Sequence, residues 1–139
     1  MESFSNLICF RMGLATRKLQ KYYKNRLSEY SITLAQSFIL LSLLELDGQN
    51  VKALAEALGI ESSAITGLVD RMEREALVER RVNPGDRRAF QIHLKQKGRD
   101  LAGVLLPLAA EFNQDLEDSL SPEEQLALFK FFNLIEEIE

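Results

Sequence analysis

The hydrophobic period changes partway through residues 51–99, and that change restricts the fold more than any other feature of the chain. Residues 51–58 place Leu54, Ala55 and Leu58 on one face of a short helix. Gly59 follows where the chain must turn, and a left-handed backbone is cheapest there for glycine. A second helical stripe starts almost at once, with Ile65, Leu68, Val69 and Met72 inward and Ser62 as the expected N-cap. Two short helices joined by a tight glycine turn predict a helix-turn-helix. The period then falls to two. Residues 77–82 and 89–94 read as strands, and Asn83, Pro84, Gly85 and Asp86 between them are turn formers. A hairpin, or wing, is expected there.

Helices are predicted on both sides. Residues 5–27 repeat Leu7, Ile8, Met12, Leu14, Ala15 and Leu19 at mostly three- and four-residue spacing. Residues 33–46 open on Thr33 as N-cap and stop at Asp47-Gly48. Phe38, Leu40, Leu41, Leu43 and Leu44 point in most directions, which predicts burial on several sides. Residues 96–118 form a long helix in which Pro107 predicts a kink or short break. Residues 122–139 form the last, with Ser121 as N-cap and Pro122 at the first position. The expected fold is mainly α with a small β-hairpin wing, one module over 1–139. Residues 33–95 make a winged helix-turn-helix, and the N- and C-terminal helices (5–32 and 96–139) a helical dimerisation region. Leu101, Leu105, Leu108, Phe112 and Leu116, then Leu128, Phe131, Phe132, Ile135 and Ile138, supply more apolar surface than a core already built from residues 38–94 needs. A homodimer is therefore expected.

Charge is distributed unevenly. The net charge is −4, which taken whole should repel a polyanion. Yet residues 80–99 carry seven basic side chains and one acid, Asp86, a local +6, whereas residues 100–139 carry ten acids and only Lys130 as a base. With the apolar stripe turned inward, Ser63, Ala64, Thr66, Gly67, Asp70 and Arg71 face out. Small residues let a helix sit deep in a major groove, and hydroxyls meet bases or phosphates. Arginines on a stiff turn suit a narrow minor groove. The expected DNA-binding residues are Ser62, Ser63, Ala64, Thr66, Gly67, Arg71, Arg87 and Arg88, with Asp86 orienting Arg88.

Residues 54–98 resemble the MarR family of bacterial regulators. The resemblance rests on Leu54-Ala55, Leu58-Gly59-Ile60, Ser63, Ile65-Thr66, Leu68-Val69-Asp70-Arg71, Leu77-Val78, Arg80, the run Asn83 to Ala89, and Ile92, Leu94 and Gly98. Ala76 departs from it where the family usually has glycine, and Lys95 where it has threonine or serine. The resemblance implies a transcription regulator, most simply a repressor. Its two chain ends pair across a two-fold axis, so that two recognition helices read a near-palindrome on double-stranded DNA. It also implies a small aromatic or phenolic effector bound between the dimer helices and the winged region.

Cys9 is the single cysteine, so no intrachain disulfide forms, which fits a reducing cytoplasm. It lies near where a peroxide-sensing branch of the family carries its thiol, but the tyrosine usual in that branch falls at Gly13. A redox sensor using Cys9 is thus one alternative, and a winged-helix protein–protein interaction module another. His93 reads as structural or surface. No cofactor motif, metal set or activated nucleophile is found, so neither an enzyme nor a metal site is expected. No signal peptide and no apolar run long enough to span a bilayer is read, so no membrane partner is expected and the location is cytoplasmic.

Overall fold

The computed structural model describes residues 3–139, with the side chains of Arg87 and Arg88 outside the described set. The chain divides into two compact units, one running to Ala102 and the other Gly103–Glu139.

The first unit opens on a short 3-10 turn, Phe4–Asn6, followed by α1, Ile8–Leu27. The helix expected from residue 5 is thus interrupted at Leu7, which is extended. Ser3 accepts the amide of Ser5 and holds the tighter turn, a local bond that competes with helix. A second 3-10 turn, Ser28–Tyr30, leads into α2, Leu34–Glu45. Thr33 caps α2 as expected, in a reciprocal box: its hydroxyl accepts Gln36 N–H at 3.2 Å, and Gln36 Oε1 accepts Thr33 N–H at 2.9 Å. Ile39, Leu40 and Leu43 are fully buried, but Phe38, expected inside, is exposed. Gln49 closes the other end, its Nε2 donating to the carbonyls of Ser42 and Leu46.

Asn50 caps α3, Val51–Leu58, and Gly59 ends it with φ of +62°. Next come α4, Ser62–Arg74, and the antiparallel strands β1, Val78–Asn83, and β2, Asp86–Leu94. Both strands reach further into the turn than expected, leaving only Pro84-Gly85 between them. Leu54 from α3, Ile65, Val69 and Met72 from α4, Leu77, and Val78 and Ile92 from the hairpin join the α2 residues in the core. Each such side chain contributes roughly 1.5–3 kcal/mol through burial.

One junction ties these pieces together. After α4, Ala76 takes the left-handed conformation (φ +60°), and Leu77 N–H reaches back to the Met72 carbonyl at 2.9 Å. The Leu77 carbonyl then accepts Lys95 N–H at 3.0 Å, at the entrance to α5, Gln96–Asp118. Lys97 Nζ adds a bond to the Glu75 carbonyl at 2.9 Å. Gly98 lies directly over this junction, where an added Cβ would stand 2.0 Å from the Leu77 oxygen. Asp47 braces the same region: one carboxylate oxygen accepts Leu94 N–H at 2.9 Å and the other faces Arg99 and His93. His93 is thus structural, its ring lying against Gly48.

The second unit contains the rest of α5 and then α6, Pro122–Glu136. The helix continues through Pro107 without the expected break. Ser121 caps α6 in a second reciprocal box with Glu124, and those bonds hold the Glu124 carboxyl below its usual range. The last helix stops three residues short of the expected 139. None of its residues is buried, and Leu126, Phe129, Phe132 and Leu134 are exposed. Among the described residues no single helix is long and apolar enough to cross a membrane, and no cluster of His, Cys, Asp or Glu could hold a metal.

Two substitutions test the junction by urea denaturation. Gly98→Ala should destabilise by roughly 3 kcal/mol, because a methyl must displace backbone. Ala76→Gly should stabilise by roughly 1 kcal/mol, because it relieves a left-handed alanine.

Candidate nucleic-acid interface

The orientation of α4 follows from its stripe. Ile65, Val69 and Met72 have no exposed surface, so Ser62, Ser63, Ala64, Thr66, Gly67, Asp70 and Arg71 lie on the exposed face. All six expected α4 contact residues are on that face. The cap differs from expectation. Glu61, not Ser62, is the N-cap: it is extended, and its carbonyl accepts Ile65 N–H at 3.1 Å, which makes Ser62 the first helical residue. No side chain caps this end. Its first amides are therefore directed outward beside two hydroxyls, an arrangement that accepts a phosphate.

Thr66 adds chemistry that residue type alone does not reveal. Its hydroxyl donates to the Ser62 carbonyl at 3.0 Å, so it offers an outside partner acceptor lone pairs and a methyl group. Gly67 is open on its exposed side: an added Cβ would meet nothing within 4 Å. This glycine keeps the surface low and is not required by packing.

The wing tip is set by an Asx-type bond, with Asn83 Oδ1 accepting Gly85 N–H at 2.9 Å. The ladder pairs Val82 with Phe90 and then Asn83 with Asp86, so the register shift falls at Arg87, Arg88 and Ala89. The backbone of Arg87 and Arg88 thus belongs to the irregular tip of β2. Their side chains, and the expected Asp86–Arg88 pairing, lie outside the described residues.

Several of the basic groups counted in residues 80–99 are internally engaged. Arg80 is held by two acids of α4, with Nη2 on Asp70 at 2.5 Å and Nη1 on Glu73 at 2.9 Å. Arg81 pairs with Glu79 at 2.6 Å, and Arg99 with Asp47 at 3.3 Å. Sequence reasoning missed the Arg80 group because its partners lie outside the basic stretch. The available signal was two carboxylates three apart on α4, which share a helix face. Asn50, Lys52, Thr66, Arg80 and Phe90 line a groove of about 400 Å³, which brings the start of α3, the outward face of α4 and the wing to one side of the unit.

Cys9 lies away from this surface in the sequence, on α1, and its thiol is exposed. Its neighbour Phe10 packs edge-to-face on Phe4 at 5.0 Å.

Comparison with known proteins agrees with this geometry. The MarR family matches residues 32–90. The organic hydroperoxide resistance transcriptional regulator of Bacillus subtilis is 32% identical over 119 residues, covering 81% of each chain. Among solved structures, the MepR–DNA complex of Staphylococcus aureus superposes with a TM-score of 0.88 at 22% identity, over 95% of this chain and 98% of that one. BpsR of Bordetella bronchiseptica, whose DNA binding is regulated by 6-hydroxynicotinic acid, gives 0.88 at 21% identity, over 100% and 99%. The chain belongs to the MarR family and is a winged-helix transcriptional regulator.

Proposed function

We propose that this chain is a sequence-specific DNA-binding repressor that acts as a homodimer on a near-palindromic operator and is released by a small aromatic or phenolic effector. The observation that carries the reading is the amino end of α4, which no side chain caps and whose exposed residues Ser62, Ser63, Ala64, Thr66 and Gly67 are small or hydroxylic. Ser62, Ser63, Ala64, Thr66 and Gly67 enter the major groove, Arg71 meets the backbone, and Arg87 and Arg88 follow the minor groove with Asp86 orienting the wing. MepR, of the same fold, was solved bound to DNA.

The dimer is supported by apolar surface that one chain leaves uncovered. Ile8, Phe10, Leu14 and Leu19 of α1 and Leu126, Phe129, Phe132 and Leu134 of α6 are all exposed. Pairing through the terminal helices places the two recognition helices roughly 34 Å apart, one turn of DNA. For the effector, a groove of about 540 Å³ within the first unit joins Lys24 and Arg71 with Thr33, Ile32 and Leu34. Two cations and a hydroxyl beside apolar walls, with Glu75 as the single acid, suit an aromatic ligand that carries a polar or phenolic group. Release follows if the effector prefers a dimer spacing that no longer fits successive grooves.

A second mode of release is favoured by the exposed Cys9 thiol and by the Bacillus subtilis relative, a regulator of organic hydroperoxide resistance. A hydroperoxide would oxidise the thiolate to a sulfenic acid and leave as the alcohol. Cys9→Ser should then abolish any loss of DNA binding caused by an organic hydroperoxide. Loss of binding that persists in the variant excludes Cys9.

The interface is tested by titrating duplex DNA from upstream of the gene, and a random-sequence pool, at two salt concentrations. Wild-type binding should weaken steeply with salt. Arg88→Ala should weaken it by roughly 1–3 kcal/mol. Gly67→Gln should block binding with helical content unchanged, because its side chain enters open space, whereas Gly67→Ala should stabilise the fold by roughly 0.5–1 kcal/mol.

A further inference from the structure

We propose that Arg80 is a positioning residue for DNA recognition, one that fastens the wing to the recognition helix and does not itself bind phosphate; this rests on the DNA-binding reading above. Position alone would suggest otherwise, since Arg80 opens the most basic stretch of the chain and lines the groove facing Thr66 and Lys52.

Three bonds converge on this residue from a single helix. Glu73 uses both carboxylate oxygens: Oε2 accepts the Arg80 backbone N–H at 2.9 Å, and Oε1 accepts Nη1 at 2.9 Å. Asp70, one turn earlier on α4, accepts Nη2 at 2.5 Å. The strand backbone and the guanidinium are thus gripped together, which fixes both the position of β1 and its rotation about α4. A planar fork bridging two carboxylates is a geometry that lysine cannot reproduce. On β1, Arg80 shares a face with Val78 and Val82, and it pairs in register with the buried Ile92. It therefore lies where the core of the hairpin gives way to its tip. Beyond it, Val82 and Phe90 are exposed, so apolar packing no longer holds the wing in place. The three bonds take over where burial ends.

Charge supports the same assignment. Arg80, Asp70 and Glu73 together carry −1, and the Arg80 side chain is only 20% exposed. Such a cluster gives a phosphate no net attraction. It does remove a liability. Asp70 and Glu73 sit on the helix that approaches DNA, and without Arg80 they would present two unpaired carboxylates to a polyanion.

The test compares salt dependence on two duplexes, one selected from a random-sequence pool by the wild-type protein and one unselected. A phosphate ligand contributes a slope of about 0.9 in log K against log salt, and its loss weakens both duplexes alike. Arg80→Gln should instead weaken the selected duplex roughly ten- to a hundredfold more than the unselected one, because helix and wing lose their common register. Asp70→Asn/Glu73→Gln keeps the arginine and frees it. That protein should bind the unselected duplex more tightly, with a steeper slope, and lose discrimination between the two. Should Arg80→Gln not fold, as judged by circular dichroism, this second protein decides the matter. An equal loss on both duplexes with a shallower slope in Arg80→Gln, or unchanged discrimination in the double variant, would overturn the positioning role. Failure of the wild type to select any duplex would instead overturn the DNA-binding reading on which it rests.

Discussion

Leu77 makes the connection on which the first unit depends. Its N–H closes the end of the recognition helix, its side chain is buried, and its carbonyl receives the first turn of α5. Two helices and a strand therefore meet at one residue, and no side chain can intervene where Gly98 passes over it. Fixing that point fixes where α4 ends and where β1 begins. It also places Arg80, three residues on, within reach of Asp70 and Glu73. The two parts of the surface that would meet DNA leave this one junction in set directions.

The electrostatics follow from the same arrangement. An acidic chain can approach a polyanion only if its carboxylates are neutralised near the contact and concentrated elsewhere. Here Asp70 and Glu73 share Arg80, which leaves that cluster at −1, and Asp47 pairs with Arg99. Half of the other acids belong to the unit after Ala102. The helix amino end contributes amides and hydroxyls without formal charge, so the surface can be specific without being strongly cationic.

Much of this was legible in the sequence for physical reasons that can be named. The stripe of Ile65, Val69 and Met72 determines which face of α4 is exposed, so its outward residues could be read directly. Thr33 and Ser121 announced their helix starts because a capping box is written in four consecutive residues. Ser62 misled because its residue type suits a cap, while the extended backbone belongs to Glu61. The break expected at Pro107 does not occur, because one lost hydrogen bond does not outweigh a helix continuing on both sides. Phe38 is exposed because its neighbours Ile39, Leu40 and Leu43 already fill the inner face of α2. The Arg80 cluster stayed hidden because it joins residues ten positions apart through a turn whose direction depends on the left-handed Ala76.

Two copies of this chain should read DNA together, through paired recognition helices and wings. Hydroxyl-radical footprinting on a duplex selected from a random-sequence pool tests it most directly. The expected result is a near-palindromic sequence with two protected patches whose centres lie about 10 base pairs apart, and a sequence-specific contact in each. Selection of no duplex at low salt, or a single protected patch with no symmetry in the selected sequence, would contradict it.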